Sequence, residues 1–453
     1  MPVLVEARQR IPHLNVDKFA GDTVQAMQAL KESAPEKSTK LKEDLQALLA
    51  SFASCQTYCA SSRLEYPFGR AERQARDTLQ LFFADAAAIQ QASSTHGDRI
   101  IHLASPPAGA VEKFTLGNRR LPRLFNGLWQ LSSPAFGVGN WHQQQRKLVK
   151  LVEAGLVAAD MADHYGDAEL VYGDFRNRLP AATQAELYAA TKWCVFKPLN
   201  SPVTTEYVLA AVRERCRRLG GRVDLLQFHW YDILHELIGI TKSHPEYLSA
   251  VGLCNFDAEH TDEICRYLMD KTGEVGIVSN QVQFSPIDTR PLMGMTQVCE
   301  RYNLKLLTYG SLCGGLLTEK WLNQPPPDIY SPSNPLNPSQ RKYLDMINHW
   351  GTWQEFQSLL GTLSLLATKY NVSIADVASR WVLQQPSVGA VLVGTRLGVS
   401  DRCADALHVF GWNLSNADIM AIDAFAHGHN GEKLHAVYQK IGDCGQEYRG
   451  MRA

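Results

Sequence analysis

The stretch AADMADHYGDAELVYG, residues 158–173, decides how this chain reads. An apolar run ends on Asp160, Tyr165 follows five residues later, and Gly166 turns the chain behind it. That is the pattern of a strand whose end presents a carboxylate and a phenol on the following loop. A phenol does proton chemistry near neutral pH only with a cation held beside it. The next runs offer candidates. ELYAATKWC ends on Lys192, and VDLLQFHWYD brings His229 to the end of the run after it. In a barrel of parallel strands such tips share one face, so Asp160, Tyr165, Lys192 and His229 are expected to converge.

The surrounding sequence supports that architecture. RLFNGLW reads as the first core strand and WHQQQRKLVKLVEAG as its helix. GLVAADMA, LYAATKW, VDLLQFHW, YLSAVGLC, IVSNQVQFS, LKLLTYG and VGAVLVG continue the strands, with helical segments between them. Eight apolar runs alternating with helices predict an α/β fold, a (β/α)8 TIM barrel over residues 118–430. Between the last two strands lies an insertion of about residues 318–349. Its stretch QPPPDIYSPSNPLNPSQRKY has no apolar period and reads as a loop over the site or a surface loop.

Residues 1–110 read differently. Val24, Met27 and Leu30, then Leu41, Leu45, Leu48 and Phe52, then Leu79, Phe82 and Ile89, recur at helical spacing. Three amphipathic helices are expected there, followed by a linker to about residue 117 that holds Pro106, Pro107 and Gly109. No nucleophile–base pair stands in this extension, which could instead serve an oligomer or a protein partner.

Composition narrows the class. The formal net charge is -1, which gives no basic excess for a phosphate backbone, so nucleic acid is not an expected partner. No apolar run reaches the roughly 18 residues of a membrane span. The start MPVLVEARQRIPHLNVDKF carries acids and no apolar core, so a cytoplasmic protein is expected. The ten cysteines are scattered and read as free thiols, with no metal ligand set expected.

The ordered motifs NGLWQLS, DMADHYG, TKW, DLLQFHW, VGLCNFD, SNQVQFS, LLTYGSLCGG and VLVGTR resemble the aldo-keto reductases, NAD(P)H-dependent oxidoreductases built on a TIM barrel. The resemblance implies reduction of an aldehyde or ketone to an alcohol. Tyr165 would donate the proton, Lys192 would lower its pKa, Asp160 would pair with Lys192, and His229 would bind the carbonyl oxygen. Some barrels of this family serve as cofactor-binding regulatory or scaffold subunits, which is the alternative reading.

The resemblance also implies a cofactor pocket. Asn255 and Gln281 would grip the nicotinamide carboxamide and Tyr309 would stack on its ring. Gly127 and Trp129 would lie along the nucleotide, and Gly310 and Leu312 over the pyrophosphate. Gly394, Thr395, Arg396, Ser400 and Arg402 would form a phosphate site at a helix N-terminus, with the arginines favouring NADPH over NADH. Cys254 stands where the family commonly has Ser or Thr, a weaker hydrogen-bond partner. Trp129, Trp193 and Trp230 neighbour these positions and would line a pocket for a hydrophobic carbonyl substrate. The helix after the fourth strand looks short. The tail, residues 431–453, matches no assigned element.

Overall fold

The computed structural model describes residues 111–449 except 133, 138, 140, 195–202, 229–233, 329–335 and 401–402, together with residues 40, 43, 44, 46, 47, 101 and 103. The chain divides into two units, Met1–Ile100 and Ile101–Ala453. In the first, the described residues 40, 43, 44, 46 and 47 are helical, within the second of the expected helices. The other two expected helices lie outside the described residues.

Before the barrel comes a hairpin, β1 (Lys113–Leu116) and β2 (Arg119–Pro122), which the sequence reading did not separate from the linker. Gly117 turns it with φ +57, a conformation that costs glycine little. Leu116 and Leu121 pack with Phe125, Ala158, Tyr188, Leu225 and Ala390 in one apolar cluster, so the hairpin covers the end of the barrel where the strands begin.

Eight parallel strands then close a barrel: β3 (Leu124–Gly127), β4 (Ala158–Asp160), β5 (Tyr188–Trp193), β6 (Leu225–Phe228), β7 (Val251–Cys254), β8 (Ile277–Gln283), β9 (Lys305–Tyr309) and β10 (Val388–Gly394). Each strand pairs with the next, and β10 returns to β3. Helices surround the strands, so the strands are buried on both faces and read as near-continuous apolar runs. All six residues of β5 are buried. The register sets β3 Gly127 beside both Asp160 and Gly394, Lys192 beside Gln227, and Cys254 beside Gln281. The polar residues at the strand ends therefore lie on one rim.

The helices after the strands include α1 (Trp141–Glu153), α2 (Ala168–Asn177), α3 (Ala181–Glu186), α4 (Thr205–Arg218), α5 (Leu234–Ser243), α6 (Ala258–Thr272) and α7 (Met295–Tyr302). Local chemistry fixes their ends. Asp257 caps α6 by accepting from the His260 N–H, and Gly273 closes it at φ +79. α5 has ten residues, in keeping with the short helix expected there.

The insertion departs from expectation. Its residues 329–335 lie outside the described ones, but Pro338–Trp350 is a helix, α8. Asn337 and Gln340 form a capping box and Pro338 occupies the first turn. Tyr343, Leu344, Met346, Ile347 and Trp350 are buried, an apolar stripe that the prolines before it obscure. α9 (Trp353–Tyr370) and α10 (Ile374–Leu383) follow, then α11 (Asn416–Ala426).

The tail also folds, as α12 (Glu432–Ile441) and α13 (Gln446–Arg449). Arg290, on the loop after β8, is buried and paired with Asp288 at 2.8 Å, and it donates to the Asp443 carbonyl at 2.8 Å. Lys433 meets Glu355 at 2.7 Å and sits 3.8 Å from the Trp350 ring centre. The tail is thereby fastened to the rim side of the barrel and to the insertion helix. No helix among the described residues is long and apolar enough to cross a membrane.

Candidate active site

Asp160 is the last residue of β4 and Lys192 the fifth of six in β5. Both side chains are buried, and Lys192 Nζ donates to Asp160 Oδ2 at 2.5 Å and to the Met161 carbonyl at 3.0 Å. The same Nζ lies 5.0 Å from the centre of the Tyr165 ring. Three of the four expected catalytic residues thus come together. The fourth, His229, lies outside the described residues, as do Trp230 and Arg402.

Two glutamines complete the network. Gln227 Nε2 donates to Asp160 Oδ1 at 2.7 Å, and Gln281 Nε2 donates to the same oxygen at 2.8 Å. Gln281 Nε2 also donates to Gln227 Oε1 at 2.8 Å. A carboxylate only accepts, so Asp160 fixes which end of each amide faces it. Gln281 spends its donor nitrogen inward, which leaves its carbonyl oxygen as the acceptor it can offer a ligand. Gln227 was missed from the sequence. Its signal was a lone polar residue inside the otherwise apolar run LLQF, residues 225–228.

The electrostatics differ from the expectation at Tyr165. Burial raises the phenol's pKa, and the Lys192 charge pulls against it without reversing it. Burial alone would lower the Lys192 pKa, but Asp160, with Tyr165 and Cys254, raises it well above the ordinary lysine value. Burial likewise pushes the Cys254 thiol up to about 12, so Cys254 is a neutral group in the wall.

Around this centre stand the residues expected to hold a nucleotide. Tyr309 ends β9 and its hydroxyl donates to Asn255 Oδ1 at 2.9 Å; Asn255 itself takes φ +57, just past β7. Gly310 has φ +74, and a Cβ there would fall 2.4 Å from the Tyr343 hydroxyl of α8. The next residue, Ser311, is buried with its Oγ unpartnered among the described residues. Leu312 is half-buried. On the other side, Gly394 is exposed and Thr395 N–H donates to the Gly127 carbonyl at 2.8 Å, which joins the first and last strand tips. Arg396 and Ser400 occupy the turn that follows, half-buried. A strand-end rim with an orphaned Ser311 hydroxyl and a half-buried Arg396 fits a phosphate-bearing nucleotide.

One expectation needs correction. Trp193 does not line the pocket: its ring packs on Phe228 at 5.4 Å and Tyr207 at 5.8 Å, with Arg215 5.1 Å over it. It follows Lys192 on one strand, so alternation sends it to the helix side. After the β10 loop the next described element is a 3-10 helix, Asp405–Val409, while residues 401–402 between them lie outside the described residues. Trp129 is half-buried, edge-on to Phe136 at 5.1 Å, beside the rim.

A model of the Aldo/keto reductase family matches residues 123–427. Over 317 residues the chain is 26% identical to a chloroplastic pyridoxal reductase of Arabidopsis thaliana, covering 66% of this chain and 80% of that protein. It is 30% identical over 142 residues to flagellar radial spoke protein 5 of Chlamydomonas reinhardtii, a match of 31% of this chain and only 25% of the relative. The fold is similar to that of a glycerol dehydrogenase from Gluconobacter oxydans, with a TM-score of 0.55 and 22% identity, over 71% of this chain and 96% of that one.

Proposed function

The chain belongs to the aldo/keto reductase family of nicotinamide-dependent oxidoreductases, and from that premise we propose that it reduces a hydrophobic aldehyde or ketone with Tyr165 as the proton donor. The observation that carries the reading is the buried Asp160–Lys192 pair at 2.5 Å with its ammonium 5.0 Å from the Tyr165 ring. A lysine buried alone would tend to lose its proton, and Asp160 keeps it charged. Its positive charge then stabilises the phenolate that Tyr165 becomes on giving its proton to the carbonyl oxygen. A phenol is already protonated at neutral pH, the form reduction requires, and burial moves the Tyr165 pKa further in that direction. His229 fits the role of orienting the carbonyl.

A bound nicotinamide cofactor supplies the hydride. Asn255 and the outward carbonyl of Gln281 suit its carboxamide, the Tyr309 ring its nicotinamide, and the Gly310–Ser311–Leu312 loop its pyrophosphate. Arg396, with Arg402, suits a 2′-phosphate and favours NADPH over NADH. Trp129 and Trp230 remain the candidate walls for an apolar carbonyl.

The reading is tested by following NADPH and NADH consumption over a panel of aldehydes and ketones. NADPH turnover with an aromatic or long-chain aldehyde is expected. Tyr165→Phe is expected to abolish it while fluorescence quenching still reports NADPH binding; a mutant as active as the parent would remove Tyr165 from the mechanism.

A further inference from the structure

The turn that carries Tyr165 holds a second set of chemistry. Asp163 and His164 precede Tyr165, and Cys194 is the residue just after β5. A carboxylate oxygen of Asp163, a ring nitrogen of His164 and the thiol of Cys194 all lie within 4.8 Å of one another. We propose that these three residues form a binding site for a thiophilic divalent cation of the zinc class at the mouth of the active site.

Four observations support a built site over a chance meeting. The two loops are tied together, because Asp163 N–H donates to the Lys192 carbonyl at 3.3 Å and Cys194 N–H to Asp163 Oδ2 at 3.1 Å. The ligand types are the mixed sulfur, nitrogen and oxygen donors that zinc accepts. His164 Nδ1 stands 3.5 Å from Asp163 Oδ1. That is long for a hydrogen bond, but two such atoms on one tetrahedral zinc are about 3.4 Å apart by its usual bond lengths. A sulfur and a nitrogen or oxygen on such an ion are about 3.6 Å apart, so the thiol needs to close by no more than about 1.2 Å to join them.

The fourth observation is the support behind Asp163. Arg215 donates to Asp163 Oδ2 at 2.6 Å and is itself held by the Ala211 carbonyl at 2.8 Å. This leaves Oδ1 facing His164, and a ligating carboxylate is commonly oriented by such an outer donor. The arginine charge also opposes the cation, so the site suits reversible rather than permanent occupancy. His164 is exposed, which gives the ion an entry path and leaves a coordination position to water.

On binding, the Cys194 S–H bond breaks, a metal–sulfur bond forms and the proton goes to solvent. His164 packs edge-on against Tyr165, ring centres 4.7 Å apart. An ion held there crowds the carbonyl's approach to Tyr165 and inhibits turnover; this consequence rests on the proposed reductase reading, while the binding does not.

The test is titration of the full-length protein with zinc by calorimetry and with cadmium by its thiolate charge-transfer absorbance. One equivalent is expected in the parent, with release of a proton. Cys194→Ser should lose the cadmium band of that equivalent, and His164→Ala, a surface change that does not threaten folding, should weaken zinc at least tenfold. Zinc should inhibit the parent and spare His164→Ala. No uptake by the parent, or the same stoichiometry and affinity in both variants, overturns the site. Uptake that meets these criteria in a protein without carbonyl turnover keeps the site and refutes the reductase reading instead.

Discussion

Gln227→Leu is the sharpest probe of how the centre is held. Gln227 is fully buried, donates to Asp160 at 2.7 Å and accepts from Gln281 at 2.8 Å. A hydrogen bond to a buried charge contributes about 1.5–3 kcal/mol. Leucine of similar volume recovers part of this by apolar burial, so a net loss of about 1–2 kcal/mol is expected. At about 2–4 °C per kcal/mol for domains somewhat smaller than this one, the thermal midpoint should fall by a few degrees. The kinetic effect should be larger. Asp160 would keep one amide donor of two, and a misplacement near 1 Å can cost about 100-fold. A drop in kcat of roughly 10–100-fold is expected, with the aldehyde KM changed by no more than about threefold. Gln227→Glu distinguishes positioning from packing. Its carboxyl would face Asp160, and two adjacent carboxylates cannot both ionise easily. Once protonated, the glutamic acid again donates to Asp160, so this variant's activity relative to the parent should rise as the pH falls. Parent-like kcat and midpoint in Gln227→Leu, with a flat relative pH profile in Gln227→Glu, would refute the role assigned to Gln227.

Two further outcomes follow from the packing. Hydrogen bonds from Lys433 and from Thr352 hold the Glu355 pKa down, to about 2. Its folded value lies below the unfolded value of about 4.3, so its stabilisation is complete above that pH and fades as the pH falls toward 2. Glu355 is 44% exposed, so the effect is reduced by solvent; thermal melts of Glu355→Gln and parent should differ above pH 4.3 and converge toward pH 2. Gly173 of α2 faces α4, where a Cβ would stand 2.1 Å from the Arg218 carbonyl. Gly173→Ala should cost about 1–3 kcal/mol or more by forcing the helices apart, whereas Gly239→Ala, in α5 with nothing within 4 Å, should stabilise by up to about 1 kcal/mol; equal midpoints for the two variants would count against this helix contact.

The strand tips were legible because burial on both faces writes each strand as an apolar run, so that a terminal Asp160 or Lys192 stands out. Trp193 was misread for a local reason: being next to Lys192 in sequence puts it on the opposite face. The α8 helix hid behind Pro326, Pro327, Pro332 and Pro335, although Asn337–Pro338 is an N-cap followed by a first-turn proline. The metal-ligating trio was invisible because Cys194 is 31 residues from Asp163 and meets it only through the β4–β5 pairing. Tail anchoring by Arg290 is a contact across 153 residues, which no local pattern announces.

The most instructive difference concerns the sign of the shift at Tyr165. The sequence argument gave Lys192 one task, to lower the phenol's pKa. In the fold Lys192 is already paired at 2.5 Å with Asp160, whose negative charge raises the Tyr165 pKa and so cancels part of the lysine's pull. Burial adds to the same side. The pair therefore acts on Tyr165 more as a dipole than as a bare cation, and the phenol stays protonated. That state is ready to donate, while the reverse reaction, alcohol oxidation, must begin from phenolate. If this balance governs the enzyme, Asp160→Asn shifts it in both directions at once. The lysine loses the charge that keeps it protonated, and the tyrosine loses the charge that opposes its ionisation. Reduction at neutral pH should fall sharply, because Lys192 left buried without its counter-charge tends toward the neutral amine. Activity should be partly regained as the pH is lowered and Lys192 is charged again. A variant whose residual activity keeps the parent's pH dependence would mean that the Asp160–Lys192 pair holds structure and does not set the proton chemistry.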